Sequence, residues 1–396
     1  MRRNASAGNV ARLGSSVSSS ARLRPRRRLT ASAVVVGCAL AMALPSTAFA
    51  SNDPLFSQQW GLAQIGAQSA WATSTGAGVK VGIVDTGVDL NHEDLAGQIL
   101  ATTNCIGANA DPSRCTGSGQ DDNGHGTHVA GIIAAVKDNG KGIAGVAPGA
   151  KLIVAKALDA NGAGADADVQ AGIMWVVDHG AQVVNLSLGD GSSLPLLGGS
   201  GGISAPMTAG IEYAWSHRAI PVLAAGNNGG GLLGGGLLGG VLGGGNASFG
   251  SLHAIIAGAT GPSGAMAAYS SALTADNWAI AAPGGANDGT AADDIMSTWW
   301  ASGKANQYLA IAGTSMATPH VAGAVADVLA TGLGQQAAVD RILTSADTGV
   351  ACGASCAGLL DVSKAVGRSA TPAPTGGTAT GASGNLLGSL LGLLGL

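Results

Sequence analysis

Charged and aromatic residues are scarce in this chain of 396 residues, at 11% and 3% of the composition. Because 46% of the residues are hydrophobic, the chain is not disordered throughout, since disorder needs low hydrophobicity and high net charge. Apart from one N-terminal run, the sequence lacks a basic stripe that would neutralise phosphates, so no nucleic-acid partner is expected. It also lacks repeated apolar stretches of about 20 residues, which excludes a multi-span membrane protein. Glycine, with 66 residues, is the abundant residue that needs an explanation.

The first 50 residues have the layout of an export signal. All eight basic residues before Lys80 lie in the first 28 positions, and no acidic residue precedes Asp53. An apolar run over 31–44 follows, and an A-x-A ending closes the segment at 48–50, as in a secretory signal peptide. The run of roughly 14 apolar residues is too short to span a bilayer. We therefore expect a secreted protein whose mature chain keeps 11 basic and 23 acidic residues, a net charge of −12.

Two variants of this leader stay open. The stretch Val35-Val36-Gly37-Cys38 resembles a bacterial lipoprotein box, which would anchor the protein through a lipid on Cys38. The apolar run continues past Cys38, which makes this the minor alternative. Residues 26–29, Arg-Arg-Arg-Leu, loosely resemble a twin-Arg signal and fit a very basic leader equally well.

Four cysteines follow the leader, and an exported chain meets an oxidising compartment in which disulfides form. Four cysteines allow three connectivities. Pairing residues that are close in sequence closes local loops, which favours Cys105–Cys115 and Cys352–Cys356. Zinc is the weaker alternative, because neither pair has C-x2-C spacing with His or Cys companions nearby.

Two segments, 229–245 and 385–396, contain almost only glycine and leucine. A Thr/Pro/Gly/Ala stretch over 369–384 precedes the second segment and predicts a flexible linker. The tail is too short to span a membrane, and its simplest interpretation is a mobile or weakly surface-associating extension. We expect three regions: a signal peptide over 1–50, one large folded domain over 51–368, and a linker and tail over 369–396.

Strand-like and helix-like segments alternate through the middle of the chain. This alternation predicts an α/β fold, a single large domain with a doubly wound, mostly parallel central sheet flanked by helices. In such sheets the functional groups lie at the carboxyl ends of the strands. The strand-like runs cover 79–84, 151–158, 183–188, 221–225, 254–259 and 278–282, and the helix-like runs cover 127–136, 166–179, 205–218, 315–329 and 335–345.

Three polar residues lie where these elements end or begin. Asp85 ends the run V-G-I-V-D-T-G, His125 opens a helix in N-G-H-G-T-H-V-A-G, and Ser315 opens another in G-T-S-M-A-T-P-H. Taken singly, they also fit a turn aspartate, a surface histidine and a helix N-cap. Together, a carboxylate, an imidazole and a hydroxyl form the set that nucleophilic acyl transfer needs. Free N–H groups at the helix start beside Ser315 are suited to stabilise an oxyanion.

These three stretches, in the order Asp, His, Ser, resemble the subtilase family of serine peptidases over about residues 53–367. The resemblance implies a secreted serine endopeptidase with its catalytic domain over 51–368. It implies that Ser315 attacks the peptide carbonyl, that His125 carries the proton, and that Asp85 holds the imidazole tautomer. The stretch A-A-G-N ending at Asn227 is similar to the family's oxyanion segment, so the Asn227 amide is expected to join the Ser315 N–H there.

The resemblance also implies where a protein or peptide substrate binds. Ser187-Leu188-Gly189 is similar to the family strand that pairs with the substrate backbone, and Gly162-Ala163-Gly164 resembles its opposite wall. Asp166 stands where many relatives carry an aromatic residue in the fourth pocket. We therefore expect a more polar or cation-tolerant P4 site, on an enzyme that acts as a monomer.

Structural Ca²⁺ is the one expected cofactor, and no organic cofactor is expected. The stretches N-D-P-L-F-S at 52–57 and Q-W-G at 59–61 resemble the N-terminus of thermitase-type subtilases. In those relatives an N-terminal Asp, a later Asp and a loop Asn share a site, and the matching positions are Asp53, Asp94 and Asn139. Oxygen ligands of this kind suit a hard cation. Three unrelated surface polar residues are the alternative.

Two features depart from the family. Secreted members usually carry a pro-segment of many tens of residues, whereas 35 residues separate the expected cleavage point from Asp85, and these already match mature-enzyme sequence. We therefore expect folding without a pro-segment, or with a separate partner. The Gly/Leu run after Asn227 lies where relatives build a wall of the S1 pocket, so it forms a flexible lid or loosens that pocket.

Two other functions remain as alternatives. A non-catalytic binding or adhesion protein on the same scaffold need not keep all of Asp85, His125, Asn227 and Ser315, which are all present here. A dedicated processing or ligation enzyme would use the same chemistry on one physiological substrate. Activity on casein, compared with a peptide library, separates broad from narrow specificity.

Overall fold

Strands and helices alternate along the chain. The computed structural model describes residues 51–188, 197–198, 202–227, 249, 251–273, 278–349, 352 and 356–367. Within these residues the strands are β1 (Lys80–Asp85), β2 (Ile99–Asn104), β3 (Lys151–Lys156), β4 (Val183–Leu186), β5 (Leu197–Gly198), β6 (Gly202–Ile203), β7 (Ile220–Ala224), β8 (Ile255–Thr260), β9 (Trp278–Pro283), β10 (Ile295–Ala301) and β11 (Lys304–Ile311). The α-helices are α1 (Trp60–Gln64), α2 (Ala67–Ala70), α3 (His125–Ala134), α4 (Asp166–Asp178), α5 (Ala205–Ser216), α6 (Thr314–Ala330), α7 (Gln335–Ser345) and α8 (Val362–Gly367).

The central sheet has seven strands in the order β2-β3-β1-β4-β7-β8-β9. Each neighbouring pair is parallel. The central strands are almost wholly buried, as expected for a parallel sheet covered on both faces. The predicted α/β class with a doubly wound, mostly parallel sheet is confirmed, and all described elements belong to one compact unit.

Alternate residues of each strand face two separate cores. In β1, Ile83 packs into a core with α3 and α6, whereas Val84 packs into a second core with α4 and α5. This alternation is the period of two that a strand imposes on its side chains. At Gly82 a Cβ atom would lie 2.7 Å from Val176 Cγ2, so the glycine lets α4 approach β1 closely.

Two features of the fold were not predicted from the sequence. The edge strand β2 has one buried residue in six, so it lacks the continuous apolar run of a central strand. Strands β10 and β11 form an antiparallel hairpin outside the sheet. The hairpin is fastened to α3, because Ser297 Oγ and Thr298 Oγ1 each donate a hydrogen bond of 2.7 Å to a helix carbonyl.

Both predicted disulfides are present, with Cα–Cα distances of 4.2 Å for Cys105–Cys115 and 5.8 Å for Cys352–Cys356. No α-helix of the described ranges is long and apolar enough to cross a membrane. Several predictions concern residues outside those ranges: the signal peptide over 1–50 with Cys38, Gly189, the Gly/Leu run over 229–245, and the linker and tail over 369–396.

Candidate active site

The carboxyl end of β1 and the start of α3 bring Asp85 and His125 together. His125 Nδ1 lies 2.8 Å from Asp85 Oδ1, and the Asp85 carboxyl is fully buried. The backbone N–H of Thr86 donates to the same Oδ1 at 2.7 Å. A Cβ atom at Gly126 would overlap the Gly87 carbonyl, so only a glycine lets the first turn of α3 sit this close to the end of β1.

A second carboxylate, Asp121, supports this arrangement and was not found from the sequence. Its Oδ1 accepts hydrogen bonds from Thr86 Oγ1 at 2.9 Å and from the Gly124 N–H at 3.0 Å. Its Oδ2 accepts from the Thr127 N–H at 3.0 Å and from Thr127 Oγ1 at 2.5 Å. Asp121 thus satisfies N–H groups at the start of α3 and places negative charge at the helix end where it is favourable.

The electrostatics distinguish His125 from two other buried histidines at the site. Burial lowers the pKa of His125, but the charge and hydrogen bond of Asp85 and the charge of Asp121 outweigh it, so the pKa is raised. Burial lowers the pKa of His128 to about 3 and that of His320 to about 4. His125 is therefore the histidine of these three that is suited to take up a proton near neutral pH.

Ser315 is the second residue of α6 and is almost buried. Its Oγ donates to the Ser187 carbonyl at 3.1 Å, while Ser187 Oγ donates to the Ser315 carbonyl at 2.8 Å. No hydrogen bond joins Ser315 to His125 among the residues that the structure describes. The hydroxyl therefore points to the residue that follows β4.

Asn227 follows β7 and is held by the residue before Ser315. Its Oδ1 accepts from the Thr314 N–H at 2.9 Å and from Thr314 Oγ1 at 3.0 Å. Thr314 Oγ1 in turn accepts from the Gly226 N–H at 3.2 Å. Asn227 Nδ2 has no hydrogen-bond partner among the residues that the structure describes, and a Cβ atom at Gly313 would lie 3.7 Å from it. The amide donor thus faces the start of α6.

The predicted substrate-contacting segments flank the end of β1. Ser187 and Leu188 follow β4, and 162–164 follow β3, the two strands that neighbour β1. Residues 162–164 form a turn rather than a strand, since Asp159 Oδ1 accepts from the Ala163 N–H at 3.0 Å and the Asp159 N–H donates to the Ala163 carbonyl at 2.7 Å. Asp166 begins α4, and its buried Oδ1 has no hydrogen-bond partner in the described part of the chain.

The three predicted calcium ligands meet around one loop. The backbone N–H of Asn139 donates to Asp53 Oδ1 at 3.0 Å, and its Nδ2 donates to Asp94 Oδ1 at 2.7 Å. Asp94 is fully buried, forms no ion pair within the described residues, and has a raised pKa because of burial. The two Asp94 carboxylate oxygens accept hydrogen bonds from Asn139 Nδ2, the Ile143 N–H and the Tyr308 hydroxyl, while the carboxylate and amide oxygens gathered here are of the type that Ca²⁺ prefers. The described ranges hold no group of three or more His, Cys, Asp or Glu suited to a metal.

Comparison with known proteins places the chain in a family. Residues 76–355 match the model of the subtilase family. Thermitase from Thermoactinomyces vulgaris is 37% identical over 283 residues, which cover 71% of this chain and 86% of that protein. Subtilisin Savinase from Lederbergia lenta is 35% identical over 268 residues, 67% of this chain and 82% of that protein. A protease structure from Pseudoalteromonas arctica superposes with a TM-score of 0.64 at 28% identity, covering 80% and 99% of the two chains.

The parallel sheet flanked by helices and the match to the family model identify the subtilisin-like class of serine proteases. The chain belongs to the subtilase family, resembles its thermitase-like members, and is a serine endopeptidase.

The sequence motifs contain the polar residues proposed for the site, but they do not reveal the residues that hold these side chains in place. Asp121 stands in the run D-D-N-G directly before His125, which resembles an ordinary turn. Its closeness to a helix start was the available signal for a capping carboxylate. Thr314 and Lys156 gave no such signal. The Lys156 ammonium is buried beside the active site, where it donates to the Thr86 carbonyl at 2.8 Å and to Asp122 Oδ1 at 2.6 Å.

Proposed function

We propose that this serine endopeptidase hydrolyses peptide bonds with Ser315 as nucleophile, His125 as base and acid, and Asp85 as the residue that orients the imidazole. The observation that carries the proposal is the 2.8 Å contact between Asp85 Oδ1 and His125 Nδ1. Because Nδ1–H is held by the carboxylate, Nε2 is left as the acceptor for the Ser315 proton. The raised pKa of His125 suits a base that must become cationic in the transition state.

The reaction follows from these contacts. Substrate binding turns the Ser315 hydroxyl from the Ser187 carbonyl to His125 Nε2, which takes the proton as Oγ attacks the scissile carbonyl. The Asn227 Nδ2 and the Ser315 N–H then donate to the oxyanion. His125 gives its proton to the leaving amine, and water repeats the sequence to release the acyl group.

Kinetics on a peptide substrate tests this assignment. We expect Ser315→Ala and His125→Ala to abolish turnover above the residual catalysis that the oxyanion donors supply. We expect Asn227→Ala to lower kcat by about 10²–10³-fold with KM nearly unchanged, because its amide acts on the transition state. Ser113→Ala, at an exposed serine, is the matched control. Full activity of folded Ser315→Ala would overturn the proposal.

We infer that the acyl side of the substrate binds along Ser187-Leu188-Gly189 on one side and Gly162-Ala163-Gly164 on the other. Their positions after β4 and β3 support this, since those strands flank β1. The unpartnered buried Oδ1 of Asp166 supports a fourth pocket that takes a basic side chain. We expect Asp166→Ala to lower the preference for P4 Lys over Leu and Phe. An unchanged preference would contradict this pocket assignment.

We propose a structural Ca²⁺ held by the oxygens of Asp53, Asp94 and Asn139. The cation would neutralise the buried Asp94 carboxylate, and a flip of the Asn139 amide would turn its oxygen toward that carboxylate's position. Bound Ca²⁺ would fasten the N-terminal segment to the loop around Asn139, and it would take no part in the chemistry at Ser315.

We propose that the protein is secreted after removal of residues 1–50. The basic, apolar and A-x-A parts of the leader and the two disulfides support export. Intact-mass measurement of the protein recovered from the medium tests the cleavage point. A chain that starts at residue 51 is expected, whereas a lipid-modified Cys38 at the N-terminus would show the anchored alternative.

A further inference from the structure

The antiparallel hairpin places an aromatic ring against Gly124, the residue that directly precedes His125 in the chain. The hydroxyls of Ser297 and Thr298 bond the carbonyls of His128 and Thr127, so β10 runs along α3 toward the catalytic end of that helix. The next residue, Trp299, continues in the same direction. Its indole lies against Gly124, the residue directly before His125.

The contact between Trp299 and Gly124 is close. A Cβ atom at Gly124 would lie 2.5 Å from Trp299 Cε2, and Gly124 has a φ of 113°, so no other residue fits there without strain. The indole also meets the His128 ring edge-on, with centroids 6.2 Å apart. One side of the indole is thus fixed by the catalytic helix, while the residue as a whole remains half-exposed.

The exposed side of the indole has no role in the catalysis described above. The segments assigned to the acyl side follow β3 and β4, whereas Trp299 belongs to the hairpin that precedes Ser315 and contacts Gly124 at the start of α3. In the proposed mechanism His125 delivers a proton to the leaving amine, so the part of the substrate beyond the scissile bond passes beside His125. A half-exposed indole beside that path offers an apolar contact surface.

We propose that Trp299 is a specificity-determining residue on the leaving-group side of the cleft, which favours substrates with an apolar or aromatic side chain in the first positions after the scissile bond. The inference rests on the proposed catalysis by Ser315 and His125. An indole provides a large apolar area and prefers aromatic partners, whereas a charged side chain beside it would lose hydration without gaining an ion pair.

Trp300 provides a matched control. It is the next residue of β10 and is also half-exposed. The three atoms nearest to a Cβ atom added at Gly124 all belong to Trp299 and none to Trp300, and the register of β10 shifts between Trp299 and Ala301. Loss of one tryptophan from this hairpin can therefore be compared with loss of the other.

The test uses peptides with one fixed acyl part and Phe, Leu, Gly or Asp in the positions after the scissile bond. A methyl ester of the same acyl part, which has no residue there, reports acylation alone. We expect the native enzyme to favour Phe and Leu over Asp. Trp299→Ala should reduce that preference on the order of ten-fold or more, with the ester kcat/KM within about three-fold of native.

Ratios of peptide to ester kcat/KM do not depend on the fraction of folded enzyme, because both rates come from one preparation. Trp299→Leu, which keeps an apolar contact with Gly124, should give an intermediate preference, and Trp300→Ala should retain the native one. An unchanged preference in Trp299→Ala, or an equal loss in Trp300→Ala, overturns the inference. Failure of the native protein to cleave even the ester would instead contradict the proposed function.

Discussion

At the scale of single residues, Asp121 adds to the effect of Asp85 on the pKa of His125, although the charge and the hydrogen bond of Asp85 have the larger effects. It places a second negative charge near the imidazole, in addition to Asp85. Burial raises the pKa of Asp121, but hydrogen bonds from Thr127, Gly124, Asn123 and Thr86 outweigh it, so the carboxyl stays ionised to low pH. We therefore expect Asp121 to affect the pH at which activity is lost on the acid side, although it is not one of the proposed catalytic residues.

Asp121→Asn tests this electrostatic role. The acid limb of kcat/KM reports the pKa of His125 in the free enzyme, because the base must be neutral. Loss of a negative charge disfavours the imidazolium, so the pKa falls and the limb moves to lower pH. Asp122→Asn makes the same charge change at a carboxylate that is 47% exposed and paired with Lys156, and should move the limb less. An acid limb of kcat/KM that does not shift in Asp121→Asn would contradict the electrostatic role of Asp121.

Asp327, in the middle of α6, shows the opposite behaviour. It is fully buried, neither carboxyl oxygen has a partner in the described residues, and burial raises its pKa well above the ordinary value. The folded state therefore keeps a proton that the unfolded state loses above about pH 4. Unfolding releases this proton, so the stability contributed at this site falls as the pH rises toward the folded-state pKa.

Asp327→Ala should therefore stabilise the protein, by about 1–3 kcal/mol at pH 8, since it removes an unpartnered buried polar group. The gain should shrink toward pH 4, where the carboxyl is protonated in both states. Chemical denaturation at several pH values measures this change in the free energy of unfolding. Both proteins carry Ser315→Ala, so that they do not digest themselves. Asp340→Ala, at an exposed position of α7, should change stability by less than about 0.5 kcal/mol. A destabilised Asp327→Ala at pH 8 would contradict the account.

At the scale of elements, the contact between β1 and α3 fixes the catalytic geometry. Gly126→Ala would push the first turn of α3 away from the Gly87 carbonyl and separate His125 from Asp85. A displacement of about 1 Å costs on the order of 10²-fold in rate, which we expect in kcat. Gly334→Ala, at the start of α7 where an added Cβ meets nothing within 4 Å, should keep native kcat. Native kcat in folded Gly126→Ala would show that α3 tolerates the shift.

The same elements show what the sequence could predict. Strands such as β1 and β8 are continuous apolar runs buried on both faces, so they could be predicted to within a residue or two. Strand β2 could not, because its exposed edge gives no apolar pattern. The hairpin β10–β11 is stabilised by its packing on α3, and half-buried residues alternate too weakly in it to identify a strand pair.

The residues of the candidate site likewise fall into two groups, those that the sequence indicated and those that it did not. The residues of the proposed chemistry stand on short motifs beside glycines, so Asp85, His125, Asn227 and Ser315 could be proposed from the sequence. Residues that hold them act across long sequence distances: Thr314 reaches Asn227 across 87 positions. A sequence pattern does not record such contacts, which arise only when the sheet brings strand ends together.

At the scale of the whole molecule, the proposed Ca²⁺ site would offset part of the net negative charge of the chain. Without residues 1–50 the chain would carry a net charge of −12 and repel itself, and a divalent cation bound at Asp94 would lower that cost locally. The loop joins the N-terminal segment, through Asp53, to Asn139 and to the carboxylate of Asp94. Binding of Ca²⁺ there would stabilise the folded state as a whole.

Thermal unfolding of the Ser315→Ala protein, with Ca²⁺ or with chelator, measures this effect. A hundred-fold excess of Ca²⁺ over Kd should stabilise the fold by about 2.7 kcal/mol and raise Tm. In Asp94→Asn the Ca²⁺-dependent rise should disappear, whereas in Asp340→Asn, far along the chain on α7, it should remain. An equal rise in Asp94→Asn would place the cation elsewhere.

The central claim, that Ser315 is the nucleophile activated by His125, is tested most directly by covalent labelling. A peptide phosphonate that reacts with activated serines should add one group per molecule. Trypsin would release it on the peptide covering 305–341, in which Ser315 is the only serine. We predict stoichiometric labelling of that peptide in the native protein and none in Ser315→Ala or His125→Ala. Labelling of another peptide, or equal labelling of Ser315→Ala, would contradict the account.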